Sequence, residues 1–140
     1  MRYLLDTCVI SEAAKARANP KVVKWIDDRD EEALFLSVLT LGEIQKGIAR
    51  LVDGTRRDAI QRWLDSDLRT RFSDRVLPID EEVALTWGLV QGEAERHGSP
   101  LPTIDGLLGA TALVHNLTIV TRNDKDLRPT GARVLNPWTA

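Results

Sequence analysis

The sequence predicts an α/β sandwich built on a mainly parallel sheet. Three observations carry this: short apolar runs of three to five residues, amphipathic helical stretches between them, and turn residues at each boundary. Apolar runs of that length are typical of parallel strands buried on both faces. The sequence shows no internal repeat, low-complexity tract or linker, so one domain over residues 1–140 is expected.

The first run, Tyr3-Leu4-Leu5, ends abruptly at Asp6-Thr7. Ser11 is read as the cap of a short helix reaching Ala18, with Glu12 in its first turn. Asn19-Pro20 breaks it and opens a second helix from Lys21 to Asp28, with Val22, Val23 and Ile26 on its apolar face and Trp25 beside them. The charged run Asp27–Glu32 reads as a solvated loop leading to a second strand, Leu34-Phe35-Leu36-Ser37-Val38. Thr40 is read as opening a helix with Leu41, Ile44, Ile48 and Leu51 at helical spacing, closed by Asp53-Gly54. A further helix, Arg57 to Arg71, lines up Ile60, Trp63, Leu64, Leu68 and Phe72.

Residues Arg75 to Ile79 contain Pro78 and read as an edge strand. Asp80 caps a long helix to Glu95 with Val83, Trp87, Val90 and Ala94 inward. After a rigid Gly98–Pro102 loop, a helix runs from Thr103 to His115, buried through Ile104, Leu107, Leu108 and Ala112 and ended by Asn116. Leu117-Thr118-Ile119-Val120 reads as a central strand and Val134-Leu135 as the last.

Composition narrows the function. Hydrophobic residues make up 43% and charged residues 29% of the chain, as in ordinary globular proteins. No run reaches the roughly 20 apolar residues of a membrane span, and the N-terminus lacks a signal-peptide core, so a cytoplasmic location without membrane contact is expected. A single cysteine, Cys8, excludes an internal disulfide and a cysteine-based zinc cluster, and the two histidines, His97 and His115, do not make a histidine-rich site. A net charge of −2 argues against nucleic-acid binding by bulk charge. Any such activity must rest on a local site with cations offsetting phosphate.

That site is expected at one edge of the sheet. Strand C-termini and the N-termini of the following helices share an edge in a parallel sheet. This brings together Asp6, Glu43, Asp105 and the Asn123-Asp124-Lys125-Asp126 stretch. Each acid has a plain alternative as a cap or turn residue: Glu43 stands at capping-box spacing from Thr40, and Asp105 gains from the helix dipole. Converging carboxylates repel, however, and call for a hard cation such as Mg²⁺ or Mn²⁺. A cation held there suits phosphodiester hydrolysis without a Ser, Cys or His nucleophile.

Several motifs then resemble the PIN-domain ribonucleases, and within them the VapC-type toxins of toxin–antitoxin pairs. They are Leu4-Leu5-Asp6-Thr7-Cys8-Val9-Ile10-Ser11-Glu12, Leu36–Ile44, Asp105–Ala112, Thr118–Asn123 and Asn136-Pro137-Trp138. The resemblance implies an α/β/α sandwich and a divalent-metal-dependent endoribonuclease. It assigns Asp6, Glu43 and Asp105 to the metal and Asp124 to the catalytic set, with Thr7, Ser37, Thr121, Arg122, Asn123 and Asp126 as supporting or substrate contacts. Asn123 stands where many relatives carry an acid, so Asp124 and Asp126 are both candidates for the fourth corner. Cys8 stands where Asn is common, which argues against a catalytic role for its side chain. The resemblance also implies a homodimer and a small antitoxin covering the site, with interfaces sought on the helices bearing Ile48, Leu51, Trp63 and Trp87. A receiver-like phospho-acceptor, which would want an adjacent acid pair after the first strand, and a catalytically silent PIN-like binding module are the competing readings.

Overall fold

The computed structural model describes residues 1–140. Five strands form one sheet in the order β3-β2-β1-β4-β5: β1 (Tyr3–Leu5), β2 (Leu34–Ser37), β3 (Val76–Leu77), β4 (Thr118–Val120) and β5 (Val134–Leu135). Every pairing is parallel, with Leu4 opposite Phe35 on one side and Ile119 on the other. The proline-flanked β3 lies at an edge, as expected, and β4 lies inside the sheet.

Alternation along β1 separates the two faces. Leu5 joins the larger core with Val9, Ile10, Trp25, Leu36, Ile44, Leu64 and Phe72, whereas Leu4 joins Leu108, Ala112, Ile119 and Leu127. The first face is covered by α1 (Thr7–Ala13), α2 (Pro20–Asp27), α3 (Val38–Ala49), α4 (Thr55–Arg62) and α5 (Arg69–Arg71). The second is covered by α7 (Thr103–His115) and the short α8 (Asp124–Leu127). The result is the α/β/α sandwich. Fully burying side chains such as Leu4 and Leu5 stabilises the fold by about 1.5–3 kcal/mol each. No helix is long and apolar enough to cross a membrane.

Helix starts differ from the sequence expectation in a consistent way. The helix after β1 begins at Thr7, and its cap is Asp6, whose Oδ1 accepts the Thr7 N–H at 2.8 Å, not Ser11. It ends at Ala13, short of Ala18, because Glu12 turns back to accept the Asn19 N–H and the Lys15 ammonium, both at 3.0 Å. Likewise α3 begins at Val38 with Ser37 as its cap, accepting the Leu39 N–H at 3.0 Å, so Thr40 caps nothing and no capping box forms with Glu43. In both places the chain passes from strand to helix with at most one residue between, which leaves no room for the later caps. The predicted helix 57–71 is helical throughout but passes through a π-helical stretch, Trp63–Leu68, between α4 and α5. Leu64, Leu68 and Phe72 nonetheless all end in the core.

The long α6 (Glu81–Arg96) starts at its Asp80 cap and packs chiefly on α7. Only Val83 is fully buried along it, while Leu85 and Leu89 are 65% and 77% exposed. In α7, Ile104 was expected inside and is exposed; the buried face is made instead by Gly106, Leu108, Gly109, Ala110 and Ala112. Gly106 and Gly109 mark close approaches: a Cβ on the first would meet the Trp87 indole at 3.0 Å, and one on the second would meet Thr130 Cβ at 2.3 Å. Asn116 ends α7 in the left-handed region, φ 54°, as a C-terminal cap.

Candidate active site

Asp6 stands at the carboxyl end of the middle strand, and its peptide N–H still pairs with Val120 O of β4 at 2.9 Å. Its carboxylate is held from two sides. Oδ1 takes the Thr7 N–H, and Oδ2 takes the buried Thr121 hydroxyl at 2.8 Å. Thr121 Oγ1 in turn accepts the Asn123 N–H at 3.0 Å, so one hydroxyl ties the loop after β4 to the acid after β1. Capping and orientation are thus served by the same carboxylate.

Glu43 reaches the same edge from α3. Its Oε1 accepts the Thr7 hydroxyl at 2.6 Å, short as expected for a bond to a charged acceptor. Asp105 enters from the first turn of α7. Burial first, and then the negative charges of Asp6, Asp126 and Glu43, push its carboxyl above the ordinary aspartate range. Those causes identify which acids share one field: Asp6, Glu43, Asp105 and Asp126.

Asp124 behaves differently. Desolvation acts against it, but bonds from Arg128 and Asn136, both at 3.4 Å, hold its carboxyl below the usual range. It fastens α8 to the end of the chain, and it is the charge of Asp126, not of Asp124, that bears on Asp105. Ser37 is fully buried and occupied as the cap of α3. The peptide N–H of Arg122 donates to Cys8 Sγ at 3.4 Å, and its guanidinium lies 5.2 Å from the Trp138 ring. Trp138 and Asn136 were legible only as parts of a motif; the cation–π contact and the Asn136 bonds give them a place beside the site. Cys8 Sγ lies 3.7 Å from both Asp6 Oδ2 and Thr121 Oγ1, and burial, followed by the Asp6 charge, raises its thiol pKa, so it is a protonated neighbour and not a nucleophile.

No three of these side chains close around a point tightly enough to hold a metal ion unaided. The donors at this edge are all oxygens, the class that hard divalent ions take. From the same edge an apolar groove of about 610 Å³ leaves between α1, α3 and α4, beginning at Thr7 and Glu43 and continuing past Ile44, Ile48 and Leu51 to Trp63. A second hollow, about 520 Å³ around Arg2 and Asp30–Ala33, lies at the opposite edge, where β1 and β2 begin.

The sequence matches the family model of the PIN domain over residues 3–132. The chain belongs to the PIN domain family. Among relatives of this PIN domain, the toxin FitB of Neisseria gonorrhoeae is 36% identical over 135 residues, covering 96% of this chain and 97% of that protein. A VapC ribonuclease of Sinorhizobium fredii, Y4jK, is 33% identical with 96% of both chains covered. The crystal structure of FitAcB from Neisseria gonorrhoeae superposes with a TM-score of 0.92 at 35% identity, covering 99% of each chain. VapBC-1 of nontypeable Haemophilus influenzae shares the fold, with a TM-score of 0.82 at 24% identity and full coverage of both chains.

Proposed function

We propose that this PIN domain is the toxin of a toxin–antitoxin pair, a divalent-metal-dependent endoribonuclease that hydrolyses RNA phosphodiester bonds at the Asp6, Glu43, Asp105 and Asp126 edge. The observation that carries the reading is the shared field on Asp105, whose carboxyl is raised by burial and by three other acids. Acids so arranged are stabilised by a cation, and relatives named as a VapC ribonuclease and a toxin point to RNA as the substrate.

Mg²⁺ or Mn²⁺ held by Asp6, Glu43 and Asp105 would polarise a phosphoryl oxygen and acidify water for attack on phosphorus. Asp6 is fixed through both oxygens by Thr7 and Thr121, and each oxygen keeps lone-pair capacity for the ion. Glu43 is oriented through one oxygen by Thr7 and leaves the second open. Asp126, not Asp124, completes the fourth corner, since Asp124 is committed to Arg128 and Asn136. Arg122 lies over Trp138 and serves the incoming phosphate, which offsets the net acidity of the chain at the one place where RNA must approach.

The groove from Thr7 and Glu43 to Trp63 fits an apolar segment of the antitoxin, which would then also cover the acids. The solved structures of FitAB and FitAcB, 34% and 35% identical to this chain, support an antitoxin partner. The purified chain should cleave RNA with Mg²⁺ or Mn²⁺ and lose cleavage in chelator, measured on labelled RNA. Cleavage undiminished in chelator would exclude the reading.

A homodimer is the further part of this proposal. On α6, Leu85 and Leu89 are exposed, and beside them Ala84, Gly88 and Gly92 recur once per turn with open space above the glycines. A second copy packed there buries both leucines. Light scattering should give twice the chain mass, reduced to one chain by Leu89→Glu. A wild-type monomer at tens of micromolar would refute the dimer.

A further inference from the structure

Thr40 is fully buried, sits in the first turn of α3, and makes one side-chain hydrogen bond, to Thr7 Oγ1 at 3.2 Å. Thr7 belongs to α1, 33 positions earlier, and the same Thr7 oxygen bonds Glu43 Oε1 at 2.6 Å. The chemistry of the three groups sets the direction of both bonds. A hydroxyl has one proton to give, and an ionised carboxylate only accepts. The Thr7 proton therefore goes to Glu43, at the shorter distance. The longer contact then runs the other way, with Thr40 donating its proton to Thr7. In the opposite sense Thr40 would hold an unspent donor in the core, which native interiors avoid.

We propose that Thr40 is a positioning residue for Glu43, acting through Thr7. The chain Thr40 O–H to Thr7 O–H to Glu43 joins the helices that follow β1 and β2 and aims one carboxylate oxygen of an otherwise exposed side chain. Donation from Thr40 leaves Thr7 only one favourable rotor setting, and hydrogen bonds in series polarise one another. Glu43 has three rotatable side-chain bonds. Without Thr40 the Thr7 hydroxyl is free to turn away, and the Glu43 carboxylate loses its fixed direction. Thr40 touches neither substrate nor ion.

This inference rests on the ribonuclease reading only for its consequence, and the test separates the two. Thr40→Val keeps the shape and removes the hydroxyl, whereas Thr40→Ser restores it. By calorimetry with Mn²⁺ alone, Thr40→Val should bind about tenfold more weakly than wild type, the range for residues that orient metal ligands, and Thr40→Ser within about twofold. In RNA cleavage, Thr40→Val should lower kcat with KM nearly unchanged. Combined with Thr7→Val it should add no further loss, because both changes break one chain. Equal Mn²⁺ affinity in Thr40→Val and wild type, or losses that multiply in the double variant, would overturn the proposal. A measurement on the metal-free wild type guards against a variant that fails to fold. The Thr40 and Thr7 hydroxyl protons should give slowly exchanging NMR resonances, and fast exchange of both overturns the inference. If the wild type binds no Mn²⁺, the ribonuclease reading fails while the hydroxyl resonances still decide the role of Thr40.

Discussion

Replacing Asp105 by Asn is expected to abolish RNA cleavage, by about 10³-fold or more, while making the metal-free protein more resistant to heat. The loss of activity follows from removing a carboxylate that helps to hold the cation, an effect of several kcal/mol at 1.36 kcal/mol per tenfold. The gain in stability follows from the sign of its pKa shift. Burial and the charges of Asp6, Asp126 and Glu43 place the folded-state pKa of Asp105 above its unfolded value. An acid shifted upwards disfavours the fold fully above its folded pKa; the penalty shrinks as pH falls through that value and is gone below the unfolded one. At neutral pH the uncharged amide escapes this penalty, and the advantage of Asn over Asp should shrink on acidification. Asp6→Asn should lose cleavage to the same degree with the opposite effect on stability. Both Asp6 oxygens accept bonds, from Thr7 N–H and Thr121 O–H, and an amide can accept on one side only. The mismatch costs about 1–3 kcal/mol. Thermal unfolding in chelator across pH 4 to 8 measures both. Asp105→Asn melting below wild type at pH 7 would contradict the shared field, and retained cleavage in either variant would contradict the catalytic assignment. Adding Mn²⁺ should raise the wild-type melting temperature, by an amount equivalent to about 2.7 kcal/mol at one hundred times the dissociation constant, and should raise that of either variant far less.

This contrast also shows how much of the site could be read from the chain alone. The shared edge of Asp6, Glu43 and Asp105 was legible because the rule that places them there needs only parallel strands, which the short apolar runs indicate, and not the order of the strands. Asp6 reads from the sequence as a cap or a ligand, and the structure shows that capping does not take it from the crevice: a strand passing into a helix with one residue between makes the acid at that edge the cap. The same compression hid the role of Thr40. By residue type it reads as a helix opener, but Ser37, at the end of β2, has already taken that position. Thr40 is thereby turned inward to Thr7. The fourth corner was ambiguous because Asp124 and Asp126 lie two positions apart on a helix of one turn. Arg128, four positions after Asp124, and Asn136, twelve positions after it, bond Asp124 and leave Asp126 free of such partners, which is why we propose Asp126 for that corner. Hydrophobic periodicity misled at α7 for a related reason. It counts apolar side chains, and the closest packing there is made at glycines, which have none. Ile104 is exposed on the same helix that buries Gly106 and Gly109.

Gly109 therefore carries the second large effect. A methyl group on it would stand 2.3 Å from Thr130 Cβ and 2.6 Å from both Thr130 Cγ2 and Oγ1, distances no folded protein tolerates. Thr130 cannot yield cheaply. It is buried, its hydroxyl donates to Leu127 O at 2.6 Å, and it accepts the Ala132 N–H at 3.3 Å. Gly109→Ala should then destabilise the protein by about 3 kcal/mol, at the upper end for overpacked cores, even though alanine is the better helix former by roughly 1 kcal/mol. Because the nearest atom is Thr130 Cβ, Thr130→Ala should relieve only part of the strain, whereas Thr130→Gly should show the larger favourable coupling in a double-mutant cycle despite losing the same hydroxyl bonds. The consequence extends to the chemistry. Gly109 lies one turn beyond Asp105 on α7, and Thr130 follows directly on the segment that carries Asp126. Their contact ties together the segments that carry two acids 21 positions apart. Gly109→Ala assayed well below its melting temperature should cleave RNA more slowly, since a misplacement of about 1 Å can cost about 10²-fold. Chemical denaturation and single-turnover cleavage of the three variants decide it. Unchanged stability in Gly109→Ala would mean that the helix and Thr130 separate freely, and full cleavage by a destabilised variant would mean that the contact supports the fold without positioning Asp105 against Asp126.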